Sequence, residues 1–551
     1  MASGVLLAVS FRADELSPLA FLGLLPIAGA LSRCAQLPAT YVGAYCGGLA
    51  FNLITADWMR TLNGAQGLAG HSALNWMRQA LALAICWPAT IFLGRLFIRA
   101  MPWLRMSISL PLVWLCHESL VRYGSVLIDE TGWPFYFLGY STGPYVALHQ
   151  IVDISGVSTA SMLVVCINGG LWDIWQVIRR WNSCRQPTLT LVRALVLPTL
   201  LLLASYGYGR WRLKENDVQA GPSVMLMPSG SLDTSANCDR CVAAALKNPR
   251  PDLMLWPEAA FVRPILIPKA LVTPELISKP SRVDAANRVD AASRTSLSDI
   301  EQVAKSVGAS IILGCIRADD GSVTRQFNSA VFIDPRIGCR GYYDKVYLVP
   351  EREFIPSTVF FSGDRSLFER GTELPVFILE GQEPGRAFAF GMSICYDIAF
   401  PHLYRQYMRQ GPRAPDFFTV CSSEGADWTG RLARDLLTVA EFRAIECRRT
   451  IVRNVYSGYS GIIDSAGRLQ IRNIDWNIAR PTFIECIPID SRKTLFILLG
   501  DWLSISCAIA VGSAVLVCGA RWLAGRAIWV HNFKIASMIA FFGVVAVETL
   551  S

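Results

Sequence analysis

The amino-acid sequence predicts a protein in two parts, a block of transmembrane helices and an α/β domain that faces water. Hydrophobic residues make up 52% of the 551 residues and charged residues only 17%, whereas a soluble globular protein carries about 25% charged residues. The apolar runs lie near both ends of the chain, while residues 213–492 have the mixed composition of a soluble domain. We therefore expect membrane helices in residues 1–212 and 493–551, with the soluble domain between them.

Long apolar runs define the expected spans, because a transmembrane helix needs about 20 mostly apolar residues. These runs predict about seven spans in residues 1–212 and one or two spans in residues 493–551. The runs are residues 4–11, 18–31, 37–55, 74–97, 106–120, 156–178, 189–208, 494–518 and 527–547.

Arginines between the apolar runs predict the orientation, because the cytoplasmic loops of membrane proteins are rich in Lys and Arg. If the first run crosses outward, the cytoplasmic loops contain Arg33, Arg95, Arg99, Arg105, Arg179, Arg180, Arg185, Arg521 and Arg526. This order places the soluble domain outside the cytoplasm, on the periplasmic side of a bacterial inner membrane. The net charge of +8 does not form the basic stripe of a nucleic-acid-binding protein.

The middle of the chain alternates short β-rich runs with helical stretches, which is typical of a sheet covered by helices. Apolar residues at helical spacing predict a helix over residues 431–449, where Arg443 and Glu446 are expected to form a structural ion pair. Residues 261–297 are rich in Pro, Ala and Ser and contain the repeat SRVDAA–NRVDAA, so we expect a surface loop there. The expected strands are residues 223–227, 252–256, 310–315, 329–333, 387–394, 416–421, 450–455 and 482–487.

Three segments of this domain end an apolar strand at a reactive side chain. They are LMLWPEAAF with Glu258, GYYDKVYLVPEREFIP with Lys345 and Glu353, and FAFGMSICYDIAFP with Cys395. Functional sites collect at the carboxyl ends of strands in sheets with crossover connections. We therefore expect these side chains to converge.

The chemistry of these residue types fits together. A cysteine nucleophile needs a base to remove its thiol proton, and Glu258 can serve as that base. Attack on a carbonyl creates an oxyanion, which Lys345 and the backbone N–H of Tyr396 could stabilise. Each residue alone is more often structural, as a buried cysteine usually is, but the three in this order favour a thioester intermediate that can pass an acyl group to an amine.

These motifs resemble the nitrilase superfamily, whose pattern is Glu, Lys and Cys in that order. The forms YxKxxLVPxxExxP and GxxICYD resemble its membrane branch, the bacterial apolipoprotein N-acyltransferases. The likeness extends to GVLLAVSF, SPLAFLGLLP, TGWPFYFLGYS and RAIECRR. It implies a multi-span helical membrane block plus an α/β nitrilase-like αββα sandwich.

The resemblance also implies roles for individual residues. Glu258 matches the general base, Lys345 the oxyanion-stabilising lysine and Cys395 the acyl-carrying nucleophile. Glu353 matches a supporting carboxylate, and Asn328 stands at the position of the family's active-site asparagine.

The family's reaction is a ping-pong transfer. An acyl chain moves from a phospholipid, typically phosphatidylethanolamine, to the cysteine, and then to the α-amino group of the diacylglyceryl-cysteine at a lipoprotein's N-terminus. The five histidines lack metal-ligand spacing, so we expect no metal and no other cofactor.

This chain departs from the family pattern near the nucleophile. Asp397 stands where the family usually has Glu, and Ser422, Ser423 and Glu424 stand where it commonly has an Asn-Asp pair. Three alternatives stay open at this point: a membrane-anchored nitrilase-type amidase or hydrolase with the same triad, a catalytically silent membrane scaffold, and a related envelope protein of conjugation systems.

Overall fold

The structure is a computed structural model, and it separates into a helical unit, drawn from residues 1–215 and 494–524, and an α/β unit, drawn from residues 217–493. Each unit is considered by itself. The described residues are 1–32, 38–61, 72–183, 186–215, 217–227, 242–243, 249–267, 291–318, 325–350, 352–354, 367–425, 429–470 and 481–524.

The helical unit consists of α-helices joined by short 3-10 turns. Its α-helices are Ala2–Ser10, Leu25–Leu31, Pro38–Thr55, Ser72–Ala84, Cys86–Ala100, Met106–Gly124, Val126–Asp129, Val152–Ser155, Val157–Arg179, Pro187–Lys214, Leu495–Leu499 and Trp502–Ala524. Its 3-10 helices are Asp14–Phe21, Asp57–Thr61, Leu138–Thr142, His149–Ile151 and Trp181–Ser183.

Several of these helical segments are long and apolar enough to cross a membrane. By length and composition, five segments qualify among the described residues. The expected run 494–518 is interrupted at Gly500, whose φ of 69° ends the short helix before it. The expected run 527–547 lies outside the described residues. The five segments are Asp14–Leu31, Ser72–Ala100, Val157–Arg179, Pro187–Lys214 and Trp502–Gly519.

Buried polar side chains in the helical unit satisfy backbone groups that water cannot reach. The Asn168 amide donates to the carbonyls of Ala20 and Val164 and accepts from the N–H of Leu24, all at 2.9 Å. Asp173 accepts from the N–H of Met106, at 3.1 Å, at the start of a neighbouring helix. Because an unsatisfied polar group in hydrocarbon costs several kcal/mol, these contacts fix which helices can pack together.

The α/β unit contains all strands of the described chain. In chain order they are β1 Val218–Ala220, β2 Val224–Leu226, β3 Leu253–Leu255, β4 Phe261–Leu266, β5 Ser310–Ala318, β6 Gln326–Asp334, β7 Gly338–Asp344, β8 Val376–Glu380, β9 Ala387–Ile394, β10 Phe417–Ser423, β11 Thr450–Tyr456, β12 Gly461–Ile463, β13 Thr482–Ile484 and β14 Pro488–Asp490. Its helices are Ala291–Val307, Pro401–Arg409 and Arg431–Cys447, with a 3-10 helix at Cys395–Ala399.

The strands form two large sheets and one small pair. The first sheet has the order β13-β2-β3-β5-β6-β7, with β4 also paired to β5, and the second has the order β12-β11-β10-β9-β8. Strands β2, β3 and β5 run parallel in one sheet, and β9, β10 and β11 run parallel in the other. Strands β1 and β14 form the antiparallel pair.

The two sheets pack face to face with helices on their outer faces. Between the sheets, the ring centroid of Phe332 on β6 lies 5.0 Å from that of Phe390 on β9 and 5.5 Å from that of Phe377 on β8. On one outer face, helix Ala291–Val307 packs against the first sheet. On the other outer face, helix Pro401–Arg409 covers the second sheet, where the ring centroids of Tyr404 and of Phe418 on β10 lie 4.8 Å apart. The expected αββα sandwich is confirmed.

Most expected elements of this unit are present. A strand lies at each of the eight expected positions, and the helix expected over residues 431–449 spans Arg431–Cys447. Arg443 and Glu446 form the expected ion pair, at 2.8 Å and fully buried. The prediction of a loop over residues 261–297 is wrong at both ends of that segment, where the chain forms β4 and helix Ala291–Val307. Residues 268–290 of that segment lie outside the described residues.

Candidate active site

Glu258 lies just beyond the carboxyl end of β3 and close against β5. The N–H of Ala260 donates to the Gly314 carbonyl on β5 at 3.0 Å. A Cβ at Gly314 would lie 2.3 Å from the carbonyl oxygen of Pro257 and 2.7 Å from the Cα of Glu258. Only glycine allows this close approach of two backbones, which fixes the backbone at Glu258 against β5.

Lys345 follows β7 and binds two buried carboxylates. Its Nζ lies 3.3 Å from Oε1 of Glu258 and 2.9 Å from Oε2 of Glu353. The Nδ2 of Asn328 on β6 donates to both carboxylates at 2.7 Å. The side chain of Lys345 is 1% exposed. The structure therefore brings together four of the residues selected from the sequence: Glu258, Asn328, Lys345 and Glu353.

The charge state of Lys345 follows from these contacts. Burial lowers the pKa of its ammonium group, but the carboxylates of Glu258 and Glu353 outweigh that effect, and the pKa lies above its ordinary value. Lys345 therefore stays a cation at neutral pH. The N–H of Val349 donates to Oε2 of Glu353 at 2.7 Å, which fixes the second carboxylate.

Cys395 begins the 3-10 helix that follows β9. Its φ of 47° lies in the left-handed region, which is unusual for a residue with a Cβ. Burial and the Glu258 carboxylate raise the pKa of the thiol to about 12, against the lowering effects of Lys345 and Ser422. The thiol is therefore neutral at rest, and a nearby base must take its proton during attack.

Asp397 supports the turn that carries the nucleophile. Its Oδ2 accepts from the Tyr343 hydroxyl at 2.7 Å and from the N–H of Ile394 at 3.0 Å, and its Oδ1 accepts from the N–H of Tyr347 at 2.8 Å. Asp397 is therefore a structural anchor for the Cys395 turn. Tyr396 lies between these two residues and is also buried.

The residues that depart from the family pattern lie beside the nucleophile. Ser422, on β10, lowers the pKa of the Cys395 thiol, and its hydroxyl donates to Oε1 of Glu424 at 2.9 Å. Glu424 in turn forms a fully buried ion pair with Arg453 on β11. The sequence singled out Ser422 and Glu424 as departures, but it gave no signal for Arg453.

Asn454 is a further residue that sequence reasoning missed. It lies on β11, and its Nδ2 donates to the carbonyl of Met227 at 2.8 Å and to that of Leu255 at 2.5 Å. Asn454 thus links the second sheet to the ends of β2 and β3, close to where Glu258 begins its turn. The sequence signal that could have identified Asn454 is a polar residue within the apolar run that forms β11.

Within the described ranges, no group of three or more His, Cys, Asp or Glu side chains could hold a metal ion. A carboxylate, an ammonium group and a thiol at strand ends suit nucleophilic attack by sulfur on a carbonyl carbon.

Two family models match this chain. The apolipoprotein N-acyltransferase N-terminal domain matches residues 3–170, and carbon-nitrogen hydrolase matches residues 218–480. The second match contains Glu258, Lys345 and Cys395. Between them, the two matches cover most of the chain.

Individual relatives are similar over most of their length. An apolipoprotein N-acyltransferase from Geobacter metallireducens is 28% identical over 85% of this chain and 85% of its own. One from Rhodopirellula baltica is 24% identical over 74% of this chain and 76% of its own. Among solved structures, an amidase from Nesterenkonia sp. is 19% identical, covers 50% of this chain and 94% of its own, and has a TM-score of 0.35. The chain therefore carries an apolipoprotein N-acyltransferase N-terminal domain followed by a carbon-nitrogen hydrolase domain, and it is similar over most of its length to bacterial apolipoprotein N-acyltransferases.

Proposed function

We propose that this protein transfers an acyl chain from a phospholipid, typically phosphatidylethanolamine, through a thioester on Cys395 to the α-amino group of an apolipoprotein's diacylglyceryl-cysteine. The observation that carries the proposal is the buried contact between Glu258 and Lys345 beside the Cys395 thiol. The names of the relatives support a lipoprotein acceptor. In this proposal residues 213–492 form the catalytic domain, on the periplasmic side of the inner membrane, and residues 1–212 and 493–551 form the membrane block.

The first half-reaction forms the thioester. Glu258 takes the thiol proton while the Cys395 sulfur attacks the ester carbonyl of the phospholipid. The tetrahedral intermediate then expels the lysophospholipid alkoxide, which receives the proton from Glu258. One ester bond breaks, one thioester bond forms, and Glu258 returns to its ionised state.

Lys345 supports this step through its charge and its remaining donor. An ammonium group has three N–H donors, and in the described part of the chain Glu258 and Glu353 accept two of them. The third is available to a substrate oxygen. Together with the backbone N–H of Tyr396, it would stabilise the oxyanion where charge develops.

The second half-reaction transfers the acyl group to nitrogen. The α-amino group of the acceptor attacks the thioester carbonyl and loses a proton to Glu258. The intermediate then expels the Cys395 thiolate, which takes that proton back and restores the enzyme. The amide product is more stable than the thioester, so the second step runs forward.

The test is direct detection of the acyl-enzyme. Purified full-length protein is incubated with phosphatidylethanolamine labelled in its acyl chains, and the peptides are identified by mass spectrometry. We expect hydroxylamine-sensitive label on Cys395, no label in Cys395→Ala, and full label in the control Cys447→Ala, which removes another buried thiol. An unlabelled wild-type protein, or label that survives in Cys395→Ala, would contradict the proposal.

A second measurement separates a transferase from a hydrolase. Labelled enzyme receives a diacylated lipopeptide, and the products are weighed. We expect the triacylated lipopeptide to appear as the thioester disappears. Release of free fatty acid alone would replace the transferase with a membrane-anchored hydrolase that uses the same residues.

A further inference from the structure

The helical unit contains a small cavity that the reaction scheme above does not use. Its walls are mostly aromatic and include Trp87, Trp114 and Trp133. Two of these rings pack edge to face, with the centroids of Trp87 and Trp114 5.8 Å apart. The space inside has room for a group about the size of a water molecule. A carboxylate, that of Glu118, also lines this cavity.

Glu118 is a buried carboxylate with one oxygen unsatisfied. Its Oε1 accepts from Nε1 of Trp114 at 3.1 Å, from the N–H of Leu138 at 2.8 Å and from the hydroxyl of Ser161 at 3.0 Å. Its Oε2 has no hydrogen-bond partner among the described residues, although Glu118 is only 4% exposed. A buried carboxylate oxygen without a donor is costly, and an ionisable residue inside a membrane protein is a candidate for a functional site.

The nearest cation on the same helix does not satisfy this oxygen. Arg122 lies one turn beyond Glu118, but its guanidinium group pairs with Asp501 and lies 4.5 Å from the ring centroid of Phe137. No hydrogen bond joins Arg122 to Oε2 of Glu118 in the described part of the chain. Oε2 is therefore the oxygen that a group in the cavity can bind.

His117 adds a second acceptor to the lining. Its Nδ1 lies 2.7 Å from Oγ1 of Thr90, and that hydroxyl donates its own proton to the Cys86 carbonyl, also at 2.7 Å. Nδ1 therefore carries the ring proton and donates it to Thr90, which leaves a lone pair on Nε2. His117 lines the same cavity, so the aromatic walls surround two acceptor side chains, those of His117 and Glu118.

This combination of groups favours a cation that carries N–H donors. The faces of aromatic rings attract cations, and an ammonium group has three N–H donors for nearby acceptors. An ammonium group is also about the size of a water molecule. Water would satisfy the acceptors, but as a neutral molecule it gains little from the ring faces. The chemistry of the lining is therefore that of a primary ammonium site.

The position of the cavity along its helices indicates a lipid headgroup. Glu118 lies about 9 Å before the end of helix Met106–Gly124, and Asn52 lies in the last turn of helix Pro38–Thr55. The arginine pattern predicts that both helix ends face the periplasm. Trp and Tyr are common at this depth, but that tendency does not explain a buried carboxylate. Nδ2 of Asn52 has no hydrogen-bond partner among the described residues, and it is a donor that suits a phosphate oxygen.

We propose that this cavity binds the ammonium group of a phosphatidylethanolamine headgroup, with Glu118 and His117 as its acceptors and the tryptophans as its walls. The choice of lipid rests on the proposed function, in which phosphatidylethanolamine donates the acyl chain. The helical unit then selects the donor lipid by its headgroup, separately from the residues that cleave the ester.

The test measures headgroup preference without acyl transfer. Full-length Cys395→Ala protein in detergent receives equal amounts of phosphatidylethanolamine, N-acetyl-phosphatidylethanolamine and phosphatidylglycerol with the same acyl chains, and native mass spectrometry counts the bound lipids. N-acetylation removes the charge and two of the three N–H donors. We expect this parent protein to prefer phosphatidylethanolamine. Glu118→Gln should reduce the preference about tenfold, because a hydrogen bond to a charged group is among the stronger ones in proteins.

Matched variants separate the cavity from general effects. The glutamine of Glu118→Gln keeps an oxygen that can accept where Oε1 does. Glu15→Gln removes an exposed carboxylate of the helical unit and should leave the preference unchanged. Trp87→Leu should weaken the preference more than Trp87→Phe, which keeps an aromatic ring. Because each result is a ratio among three lipids, a variant that merely packs less well loses all three together.

Three outcomes would overturn the proposal. Equal binding of phosphatidylethanolamine and its N-acetyl derivative by the parent protein would mean that the cavity holds only water. An unchanged preference in Glu118→Gln would place the selection elsewhere. A diacylated lipopeptide with a free α-amino group serves as competitor: if it displaces the phospholipid from the parent and loses that ability in Glu118→Gln, the site serves the acceptor instead.

The lipid site and the proposed function fail separately. A headgroup preference that depends on Glu118, together with unlabelled Cys395 in the thioester assay, supports the lipid site and overturns the proposed function. Labelled Cys395 without any headgroup preference does the reverse.

Discussion

Asp397 connects the nucleophile's turn to the pH dependence of folding. Burial raises the pKa of this carboxyl to about 6 from 3.8, although Lys345 and the donors Tyr347, Ile394 and Tyr343 lower it. The folded protein thus binds the Asp397 proton more tightly than the unfolded chain does. Its contribution to stability is present below pH 3.8 and is lost as the pH rises through about 6.

We therefore predict a difference in pH dependence between wild type and Asp397→Asn. Wild type should lose stability between about pH 4 and pH 6, and Asp397→Asn should lose less, because the amide does not titrate. Asparagine also costs about 1–3 kcal/mol at any pH, since it cannot accept from all three donors. The measurement is Tm against pH for both proteins.

The difference between the two Tm curves isolates Asp397. Burial also raises the pKa of Glu424, to about 7, but Glu424 is present in both proteins, so its share cancels. Curves that run parallel from pH 4 to pH 7 would show that Asp397 does not titrate in this window.

The sequence predicts some of these residue contacts and misses others for physical reasons. Glu258, Lys345 and Cys395 each follow an apolar strand, and strand ends converge, so their proximity was predictable. The link from Ser422 through Glu424 to Arg453 was not, because it depends on side-chain directions on two neighbouring strands. The buried ion pair of Arg453 was harder still to predict, since an arginine in a strand is expected to face solvent unless its buried partner is known.

At the scale of elements, the turn that starts at Cys395 has a backbone that favours glycine. Its φ of 47° costs a residue with a Cβ roughly 1–2 kcal/mol in the left-handed region. We predict that Cys395→Gly is more stable than Cys395→Ala by about 1 kcal/mol. Thermal unfolding of the two inactive variants measures the difference.

A control on the preceding strand should change in the opposite direction. Ala389 lies within β9, away from the turn, and glycine in a strand interior is destabilising by roughly 0.5–1 kcal/mol relative to alanine. Ala389→Gly should therefore lower Tm. If Cys395→Gly also unfolds at a lower temperature than Cys395→Ala, the left-handed conformation at this position is not under strain.

The missed elements show what periodicity and composition can and cannot predict. β4 contains Pro264, which argues against a strand, but proline is tolerated on a strand paired on one side, and β4 pairs only with β5 among the described strands. β7 is absent from the eight expected ranges, although an apolar strand was expected to end before Lys345; it contains Gly338 and Gly341, and glycine is depleted in strands. β4 is held by β5, a partner distant in sequence that local patterns do not reveal, whereas β7 pairs with the preceding strand β6 across a short turn.

At the scale of the whole molecule, the arginines between the apolar runs predict which side of the membrane each segment faces. Asn182 follows the run of residues 156–178, beside Arg179 and Arg180, and is predicted to be cytoplasmic. Glu383 belongs to the soluble domain, is 73% exposed, and is predicted to be periplasmic. Both positions can carry a cysteine without disturbing a buried contact, since both are exposed.

We predict opposite accessibility for these two positions. In cells with a permeabilised outer membrane, a membrane-impermeant maleimide should label Glu383→Cys, whereas Asn182→Cys should be labelled only after the inner membrane is opened. Peptide mass spectrometry distinguishes the new cysteines from the exposed native Cys486. Labelling of Asn182→Cys in cells with an intact inner membrane would show that the orientation is opposite to the predicted one. A periplasmic acceptor could then no longer reach Cys395, because phospholipid and lipoprotein must meet the thiol on the same side.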